Sequence, residues 1–344
     1  MHAEFKKYIL NFKQPAGTSR GVLKTKETYF LIIYKEDKKG IGECGLLKGL
    51  SVDDRPDYEE KLLWVCDHVQ FGKERLYDEL KEFPSIQFGI EQAFLSLHND
   101  DPFVLFPSGF TSDKNAISIN GLIWLGDTSF MKEQIKIKLE AGFTTLKLKI
   151  GAIDFNEEFE LIRSIRKEYT SKEIEIRVDA NGAFDPENAL ERLKVLSDLD
   201  LHSIEQPIKA KQWESMAELC LKTPLPIALD EELIGVFTYA DKKSLMEAIK
   251  PQFIILKPSL IGGFQGCDDW INIASQNDIG WWITSALESN VGLNAIAQYT
   301  FTKNTMLPQG LGTGGLFTNN FNSPLFVDHG HLYYDPQIPW NFNL

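Results

Sequence analysis

The 344-residue sequence contains little cysteine: its four residues are scattered, and none form a CxxC pair. This spacing predicts buried, reduced thiols instead of a disulfide framework. The opening stretch, MHAEFKKYILNFKQPAG, lacks the apolar run of a signal peptide. No stretch approaches the roughly 20 apolar residues that a membrane-spanning helix needs. Together these absences predict a cytoplasmic protein.

Positive charge is in the minority, with 36 Lys and Arg against 49 Asp and Glu and a net charge of −13. This balance disfavours nucleic acid or an anionic membrane as the main partner. A small anionic substrate stays compatible, because a bound divalent cation can reverse the local field. No GxGxxG motif follows a predicted strand, and the glycine-rich segment GIGECGLLKGLS lacks P-loop spacing. Nucleotide binding is therefore not expected.

Residues 1–110 differ in pattern from the residues that follow them. Short alternating segments predict antiparallel strands at 5–12, 23–25 and 29–35, and helical periodicity follows them. The segment 101–115 is rich in Pro, Gly, Ser and Asp and predicts a domain boundary. We expect the aromatic tail, 317–344, to fold back on this first α+β domain.

Residues 111–316 alternate between predicted strands and helices, with strands starting roughly every 25 to 30 residues, as expected of βα units. An α/β fold with a TIM-type barrel fits this repeat better than an open dinucleotide-binding sheet. The predicted strands are 116–120, 144–150, 174–179, 201–205, 226–230, 253–257, 280–284 and a weak eighth at 306–309.

Charged side chains occur at the ends of five consecutive predicted strands. Parallel strands that helices cover on both sides are normally apolar, so a solvated charged face is the weaker interpretation. A barrel places its active site at the carboxyl ends of its strands. In chain order, the strand-end residues are Lys147 and Lys149, Asp179, Glu205, Asp230, and Lys257.

Three carboxylates that converge would repel one another unless a cation lay between them. Oxygen ligands favour a hard ion such as Mg²⁺, with open positions for a substrate carboxylate. Lysines on two sides of such an ion could flank a substrate carbon, and one could act as a general base. Asn181 and Glu231 directly follow ligand-bearing strands, and we expect them to orient the ligands and lysines.

The ordered motifs KLK, VDANG, IEQP, LDE and LKPSLIGG resemble the muconate-lactonizing subgroup of the enolase superfamily. That resemblance covers nearly the whole chain. It implies a modified (β/α)7β barrel at 111–316 and an α+β capping domain at 1–110 that 317–344 completes. It also implies Mg²⁺, with Mn²⁺ as a substitute, held by Asp179, Glu205 and Asp230.

The same resemblance assigns roles to the lysines. Lys149, the second lysine of the KxK motif, matches the general acid/base, and Lys257 matches the lysine on the opposite face. Lys147 matches the lysine that supports its neighbour and the enolate charge.

Two segments, ITSALESNVGLNAIAQ and LPQGLGTGGLFTNN, resemble the o-succinylbenzoate synthase family, as does the arginine before VDANG. This implies loss of water from a cyclohexadiene carboxylate with a succinyl chain (SHCHC), a step of menaquinone biosynthesis. The family's mobile N-terminal loop corresponds to about 13–21. The implied substrate-binding residues are Ser19, Arg20, Arg177, Ser285, Ser289, Gly312, Thr313 and Gly314.

A rival interpretation is an N-acylamino acid racemase or a dipeptide epimerase that uses Lys149 and Lys257 as a pair of bases. The chain has GTG where dipeptide epimerases usually carry Asp-x-Asp. It also has Lys257 where the mandelate racemase branch has a His–Asp pair. A non-enzymatic scaffold would require the strand-end residues to be accidental. The sequence leaves the oligomeric state open.

Overall fold

The computed structural model describes residues 1–18 and 21–344. The chain begins with a three-stranded antiparallel sheet in the order β1-β2-β3, followed by three helices. The segments predicted as strands at 23–25 and 29–35 form one continuous strand. The elements are β1 (His2–Thr18), β2 (Gly21–Lys35), β3 (Lys38–Cys44), α1 (Tyr58–Asp67), α2 (Gly72–Glu79) and α3 (Pro84–His98).

The two faces of this first sheet pack against different parts of the chain, because successive side chains of a strand point to opposite faces. Leu31 and Ile33 lie in a core with the helices that follow the sheet. Phe30 instead packs with Val291, far along the chain, and with Phe321 from the tail. The sheet therefore joins its own helices to the second half of the molecule.

Helix α3 lies directly on β3 because glycines occupy the contact. A Cβ atom added to Gly42 would lie 1.9 Å from the carbonyl oxygen of Gly89. Side chains would hold the helix and strand farther apart, and most of α3 would then lose its burial.

The second half of the chain alternates strands and helices, as predicted. After the short strand β4 (Ile117–Ser118), seven strands form one sheet in which every neighbouring pair is parallel and the spatial order follows the chain. These strands are β5 (Gly121–Ile123), β6 (Thr145–Lys149), β7 (Glu175–Asp179), β8 (Ser203–Glu205), β9 (Ile227–Leu229), β10 (Phe253–Leu256) and β11 (Gly280–Ile283).

Helices follow or separate these strands and cover the outside of the sheet. The amphipathic α5 is representative: Leu161, Ile162 and Ile165 are buried, and the side chain of Asp154 accepts a hydrogen bond from the first turn. The helices are α4 (Thr128–Glu140), α5 (Phe155–Glu168), α6 (Pro186–Ser197), α7 (Trp213–Lys222), α8 (Tyr239–Ile249), α9 (Pro258–Ile261), α10 (Gly263–Gln276) and α11 (Asn290–Thr302). Of the helices in the described ranges, none is both long and apolar enough to cross a membrane.

The first and eighth predicted strands had the wrong bounds. The predicted strand 116–120 contains β4, which pairs antiparallel with the tail strand β13 (His331–Tyr334), itself paired with β12 (Leu325–Asp328). The predicted eighth strand is reduced to the bridging residues Gln309 and Gly310. These residues bond to both edges of the parallel sheet: Asn120 N donates to Gln309 O (2.9 Å) and Gly310 N donates to Ile283 O (2.8 Å).

The tail also contacts the first sheet. Phe317 forms a backbone bridge with Phe12, and the rings of Phe321 and Phe342 lie 5.4 Å from the ring of Phe30. These contacts are of the kind expected if the tail completes the first domain. The division at residue 110 stays a prediction.

We expect Gly42→Ala to lower the free energy of unfolding by about 1–3 kcal/mol, because the added methyl group would overlap the backbone of α3. Gly315→Ala is the matched control, since a Cβ atom at Gly315 meets nothing within 4 Å. Urea unfolding followed by circular dichroism measures both. Equal stability of the two variants would contradict the close approach of β3 and α3.

Candidate active site

A cavity of about 230 Å³ lies at the carboxyl ends of the parallel strands. One side of it is polar and carries most of the strand-end residues singled out from the sequence. The other side is apolar and includes side chains from the first domain. The polar members that the strands contribute are Lys147, Lys149, Asp179, Asn181, Glu231 and Lys257.

The register of the strands brings the charged side chains to one level. Lys149 pairs with Asp179 across β6 and β7, and Asp179 pairs with Glu205 across β7 and β8. Glu205 pairs with Ala228, two residues before Asp230. Residues two apart on a strand share a face, so consecutive strands present their charged groups to one space. Asp179 is 1% exposed, and Glu205 and Asp230 are each 2% exposed.

Ammonium groups lie between these carboxylates. The Nζ atom of Lys147 is 3.0 Å from Asp179 Oδ2 and also contacts Glu205 Oε2. On the far side, Lys257 Nζ contacts Asp230 Oδ2 and lies 3.9 Å from Glu205 Oε1. The two lysines thus flank the central carboxylate from opposite strands.

Lys149 completes the polar side of the cavity. Its Nζ atom lies 3.0 Å from Asp179 Oδ2 and donates to Asn181 Oδ1 at 2.7 Å. Asn181 Nδ2 in turn donates to Glu231 Oε1 at 3.0 Å. Asn181 and Glu231 therefore form a chain of hydrogen bonds that fixes the position of the Lys149 ammonium group.

Burial and neighbouring charges shift the pKa values of the buried lysine and carboxyl groups in different directions. Burial disfavours the Lys147 ammonium ion, but Asp179, Glu205 and Asp230 outweigh burial and raise its pKa. Burial likewise disfavours the Asp179 carboxylate, but Lys147, Lys149 and Lys257 outweigh it and hold its pKa below the usual range. Burial and repulsion by Asp179 raise the pKa of Glu205 well above its ordinary value. The cluster therefore favours a further positive charge near Glu205.

The donor set fits a hard divalent cation. Across residues 1–18 and 21–344, no three acidic, histidine or cysteine side chains are arranged to hold a metal ion, because lysines lie among the strand-end carboxylates. Both Glu205 oxygens are buried, and the groups beside them are the ammonium groups of Lys147 and Lys257. Asp179, Glu205 and Asp230 nevertheless bring carboxylate oxygens to the ends of three adjacent strands, and oxygen is the ligand atom that Mg²⁺ takes in proteins.

Only some of the predicted substrate-binding residues line the cavity. Ser285, Gly312 and Thr313 line the cavity, and the hydroxyl oxygens of Ser285 and Thr313 are 2.6 Å apart. Ser19 and Arg20 lie outside the described residues.

Gly314 and Ser289 are not part of the cavity lining. The Ser289 hydroxyl donates to Glu43 Oε2 (2.5 Å) in a buried contact with the first sheet.

Arg177 also lies away from the cavity lining, one side-chain repeat below Asp179 on β7. It is 1% exposed, its Nε donates to Glu175 (2.8 Å) and its Nη1 donates to Pro308 O (2.8 Å). Its guanidinium carbon lies 4.3 Å from the centre of the Trp282 ring. In this structure the Arg177 side chain therefore makes contacts within the protein, inside the sheet. Its contact with a substrate stays a prediction.

Several lining residues were missed in the sequence. Asn120 was the last residue of the predicted first strand but was not singled out as a site residue, and in the structure it stands just before β5 and lines the cavity. The loop from Leu47 to Leu50, together with Leu23, carries no local signal, because it reaches the cavity only through the packing of the first domain. These residues and Trp124 supply much of the apolar side.

The family model for enolase C-terminal domain-like proteins matches residues 131–337. The chain belongs to this family. The resemblance to the enolase superfamily is thereby confirmed. The match spans β7 to β10, whose ends carry the three carboxylates and Lys257, as well as the Lys147–Lys149 pair of β6.

Individual relatives align with this chain over almost its whole length. An o-succinylbenzoate synthase of Desulfotalea psychrophila is 45% identical over 96% of this chain and 98% of its own length. The crystal structure of MenC from the same organism superposes with a TM-score of 0.86 at 41% identity, covering 97% of this chain and 99% of that one. A muconate lactonizing enzyme from Pseudomonas fluorescens, 21% identical, shares the fold, with a TM-score of 0.83 and coverage of 99% and 96%.

We expect Lys147→Met to lower the free energy of unfolding by about 3–5 kcal/mol at pH 7 in EDTA, because buried carboxylates would lose their counter-charge. The folded-state pKa of Asp179 is depressed, so this stabilisation is present above the unfolded carboxyl pKa and declines as the pH falls below it. The difference between variant and wild type should therefore shrink in acid. Urea unfolding at several pH values measures it, with the exposed Lys136→Met as control, and a variant as stable as the wild type would contradict the electrostatic account.

Proposed function

We propose that this protein is an o-succinylbenzoate synthase, a dehydratase that converts SHCHC to 2-succinylbenzoate and water in menaquinone biosynthesis. The observation that carries the assignment is the 45% identity to an o-succinylbenzoate synthase over 96% of the chain. The site supports it: lysines on β6 and just after β10 face carboxylates from the strands between them. Such a site suits proton removal next to a substrate carboxylate.

We propose that Asp179, Glu205 and Asp230 hold Mg²⁺, for which Mn²⁺ would substitute. Support comes from the three buried carboxylates at the ends of adjacent strands and from the raised pKa of Glu205, which favours added positive charge beside it. When bound, the ion supplies positive charge that acidifies the C–H bond beside the substrate carboxylate and holds the negative charge that develops there.

Lys149 is the proposed general base and acid. It removes the ring proton beside the carboxylate, and the electron pair of that C–H bond becomes a ring double bond. The neighbouring C–O bond breaks with its electron pair on oxygen, and protonated Lys149 returns the proton to the leaving hydroxyl as water. Asn181 holds the Lys149 ammonium group in place by their 2.7 Å hydrogen bond.

The other two lysines stay cationic in this scheme. Lys147, against Asp179 and Glu205, stabilises the negative charge that develops on the substrate carboxylate. Lys257, on the opposite side, faces the ring intermediate and stabilises it by a cation–π contact. Ser285, Gly312 and Thr313 would contact the succinyl chain, and the apolar side of the cavity would contact the ring.

The fold we propose in detail is a modified (β/α)7β barrel with an α+β cap. The support for barrel closure is the pair of backbone contacts by which Gln309 and Gly310 reach both edge strands. The cap would exclude water through Leu23 and the loop from Leu47 to Leu50. We further propose that the protein is cytoplasmic. Its partner in this proposal is a small-molecule carboxylate substrate.

One feature of the geometry favours a second candidate activity, the racemisation of N-acylamino acids or epimerisation of dipeptides. Lys149 and Lys257 both line the cavity and belong to strands separated by the three carboxylate-bearing strands. Two bases on opposite faces of one carbon could remove a proton from one side and return it from the other.

We expect Lys149→Ala to lower kcat/KM for SHCHC by about 10²- to 10⁴-fold, because general acid–base catalysis is lost. A spectrophotometric assay of SHCHC consumption with Mg²⁺ measures this, and the thermal shift caused by Mg²⁺ should persist in the variant.

Turnover by the wild type should cease in EDTA and return with added Mg²⁺ or Mn²⁺. Absence of turnover by the intact protein with Mg²⁺ would refute the dehydratase assignment.

Lys257→Arg separates the two candidate activities. Arginine keeps the positive charge but does not lose its proton, so dehydration of SHCHC should persist in part while two-base racemisation is abolished. Polarimetry with N-acylamino acids, run beside the SHCHC assay, measures both. The exposed Lys222→Arg serves as control, and a variant that racemises as fast as the wild type would exclude Lys257 as a base.

A further inference from the structure

Arg177 is one of the largest side chains that are almost fully buried, with 1% of it exposed. It shares a face of β7 with Asp179, because residues two apart on a strand point the same way, yet it does not line the cavity. Burying a charged group is costly unless the group is paired or hydrogen-bonded. The partners of Arg177 therefore indicate what its burial achieves.

The Arg177 side chain reaches across the inside of the sheet to the segment 307–310. Its Nη1 atom donates a hydrogen bond to Pro308 O (2.8 Å). In the strand order, β5 and β6 lie between β7 and the bridging residues Gln309 and Gly310 on one side, and β8 to β11 lie between them on the other. The hydrogen bond thus joins parts of the sheet that are not neighbours, whereas backbone ladders join only adjacent strands.

Two further contacts fix the direction of the guanidinium group. Its Nε atom donates to Glu175 Oε1 (2.8 Å), which balances the charge, and its carbon lies 4.3 Å from the centre of the Trp282 ring on β11. A planar guanidinium that stacks on a ring and bonds a carboxylate has little freedom to turn. Leu307 packs against the same buried group as Trp282, so the ring also supports the segment that Arg177 bonds.

The segment 307–310 has few strand contacts of its own. Gln309 N donates to Ser118 O (2.8 Å) and Gly310 N donates to Ile283 O (2.8 Å). Pro308 has no backbone N–H group, so its carbonyl oxygen is the one backbone group through which it can be hydrogen-bonded. Arg177 supplies that bond from inside the sheet, next to the two residues that bridge the edge strands.

The same segment leads directly into the cavity wall. Gly310, Gly312 and Thr313 line the cavity. Gly310 O accepts a hydrogen bond from Ser285 N (3.1 Å), and the hydroxyl oxygens of Ser285 and Thr313 are 2.6 Å apart. A displacement of Pro308 would therefore reach the wall within two residues, and it would pass from Gly310 to Ser285.

We propose that Arg177 is a positioning residue that acts through Pro308 on the wall formed by Gly310, Gly312 and Thr313. Its guanidinium group holds the segment 307–310 in place, and the wall reaches its working position only while this hydrogen bond is made. The inference rests on the proposed function for its kinetic readout but not for its structural one. Direct contact of Arg177 with the substrate is the alternative that the experiments separate from it.

The kinetic test compares the full-length variants R177M and R166M. Arg166 is a matched control, because its guanidinium group also donates to backbone carbonyls, those of Leu199 (2.8 Å) and Ile174 (2.7 Å), but before the amino end of β7 and away from the cavity. For R177M, KM for SHCHC should rise about tenfold with a smaller change in kcat, because a displaced wall weakens binding of the substrate and the transition state alike. An R177M variant with the KM of R166M would overturn the proposal.

Hydrogen exchange provides a readout that needs no turnover. The backbone amides of Gln309 and Gly310 should exchange about tenfold faster in R177M than in R166M, because local opening of the segment becomes easier. The amides of α7 in the same molecules serve as the reference for any general loss of stability. A raised KM with unchanged exchange at Gln309 and Gly310 would overturn the proposal and place Arg177 in contact with the substrate.

The variant R177K keeps the test decisive if R177M does not fold. Lysine retains the positive charge but has one ammonium group in place of the planar fork, so it cannot bond Glu175 and Pro308 together. We expect a raised KM and faster exchange at Gln309 and Gly310 in R177K as well. Wild-type values for both in R177K would overturn the proposal.

The two readouts also separate this inference from the proposed function. Faster exchange at Gln309 and Gly310 in R177M, with no turnover of SHCHC by the unaltered protein, would refute the dehydratase assignment and leave the positioning role standing. Turnover by the unaltered protein with unchanged exchange and unchanged KM in R177M would do the reverse.

Discussion

The structure depends on the burial of several carboxylates of like charge at one end of a parallel sheet. Asp179, Glu205 and Asp230 are almost completely shielded from water. Repulsion between ionised groups is stronger in the protein interior than in water. Lys147 and Lys257 lie against them and offset that repulsion. An arrangement this costly to fold is typical of sites where charge is needed for chemistry.

Strand geometry turns this electrostatic arrangement into a site. Because the strands are parallel and in register, residues at their carboxyl ends share one level, and the two-residue repeat directs alternate side chains to the same face. Lys149, Asp179 and Glu205 are consecutive register partners for this reason. Arg177 shares the face one repeat lower, at the level of Lys147, but its guanidinium group contacts Glu175, Pro308 O and the Trp282 ring and does not line the cavity.

The first domain contributes more than a cover. Its side chains form part of the apolar wall, and its buried carboxylate Glu43 binds the helix that follows the segment 284–287. Ser289, which the sequence suggested as a substrate contact, makes its hydrogen bond in this interface. One wall of the cavity and the docked first sheet are thus physically linked through the start of α11.

The sequence by itself determined the alternation of strands and helices, the strand-end lysines and carboxylates, and the family, because each depends on local periodicity or on short ordered motifs. Tertiary structure decided the pairing of β4 with the tail, the two-residue bridge at Gln309, and the approach of Leu23 and Leu47 to the cavity. It also decided which candidate side chains reach the cavity: Ser285 does, while Arg177 and Ser289 find partners elsewhere. These outcomes depend on contacts between residues far apart in the chain, which no local pattern encodes.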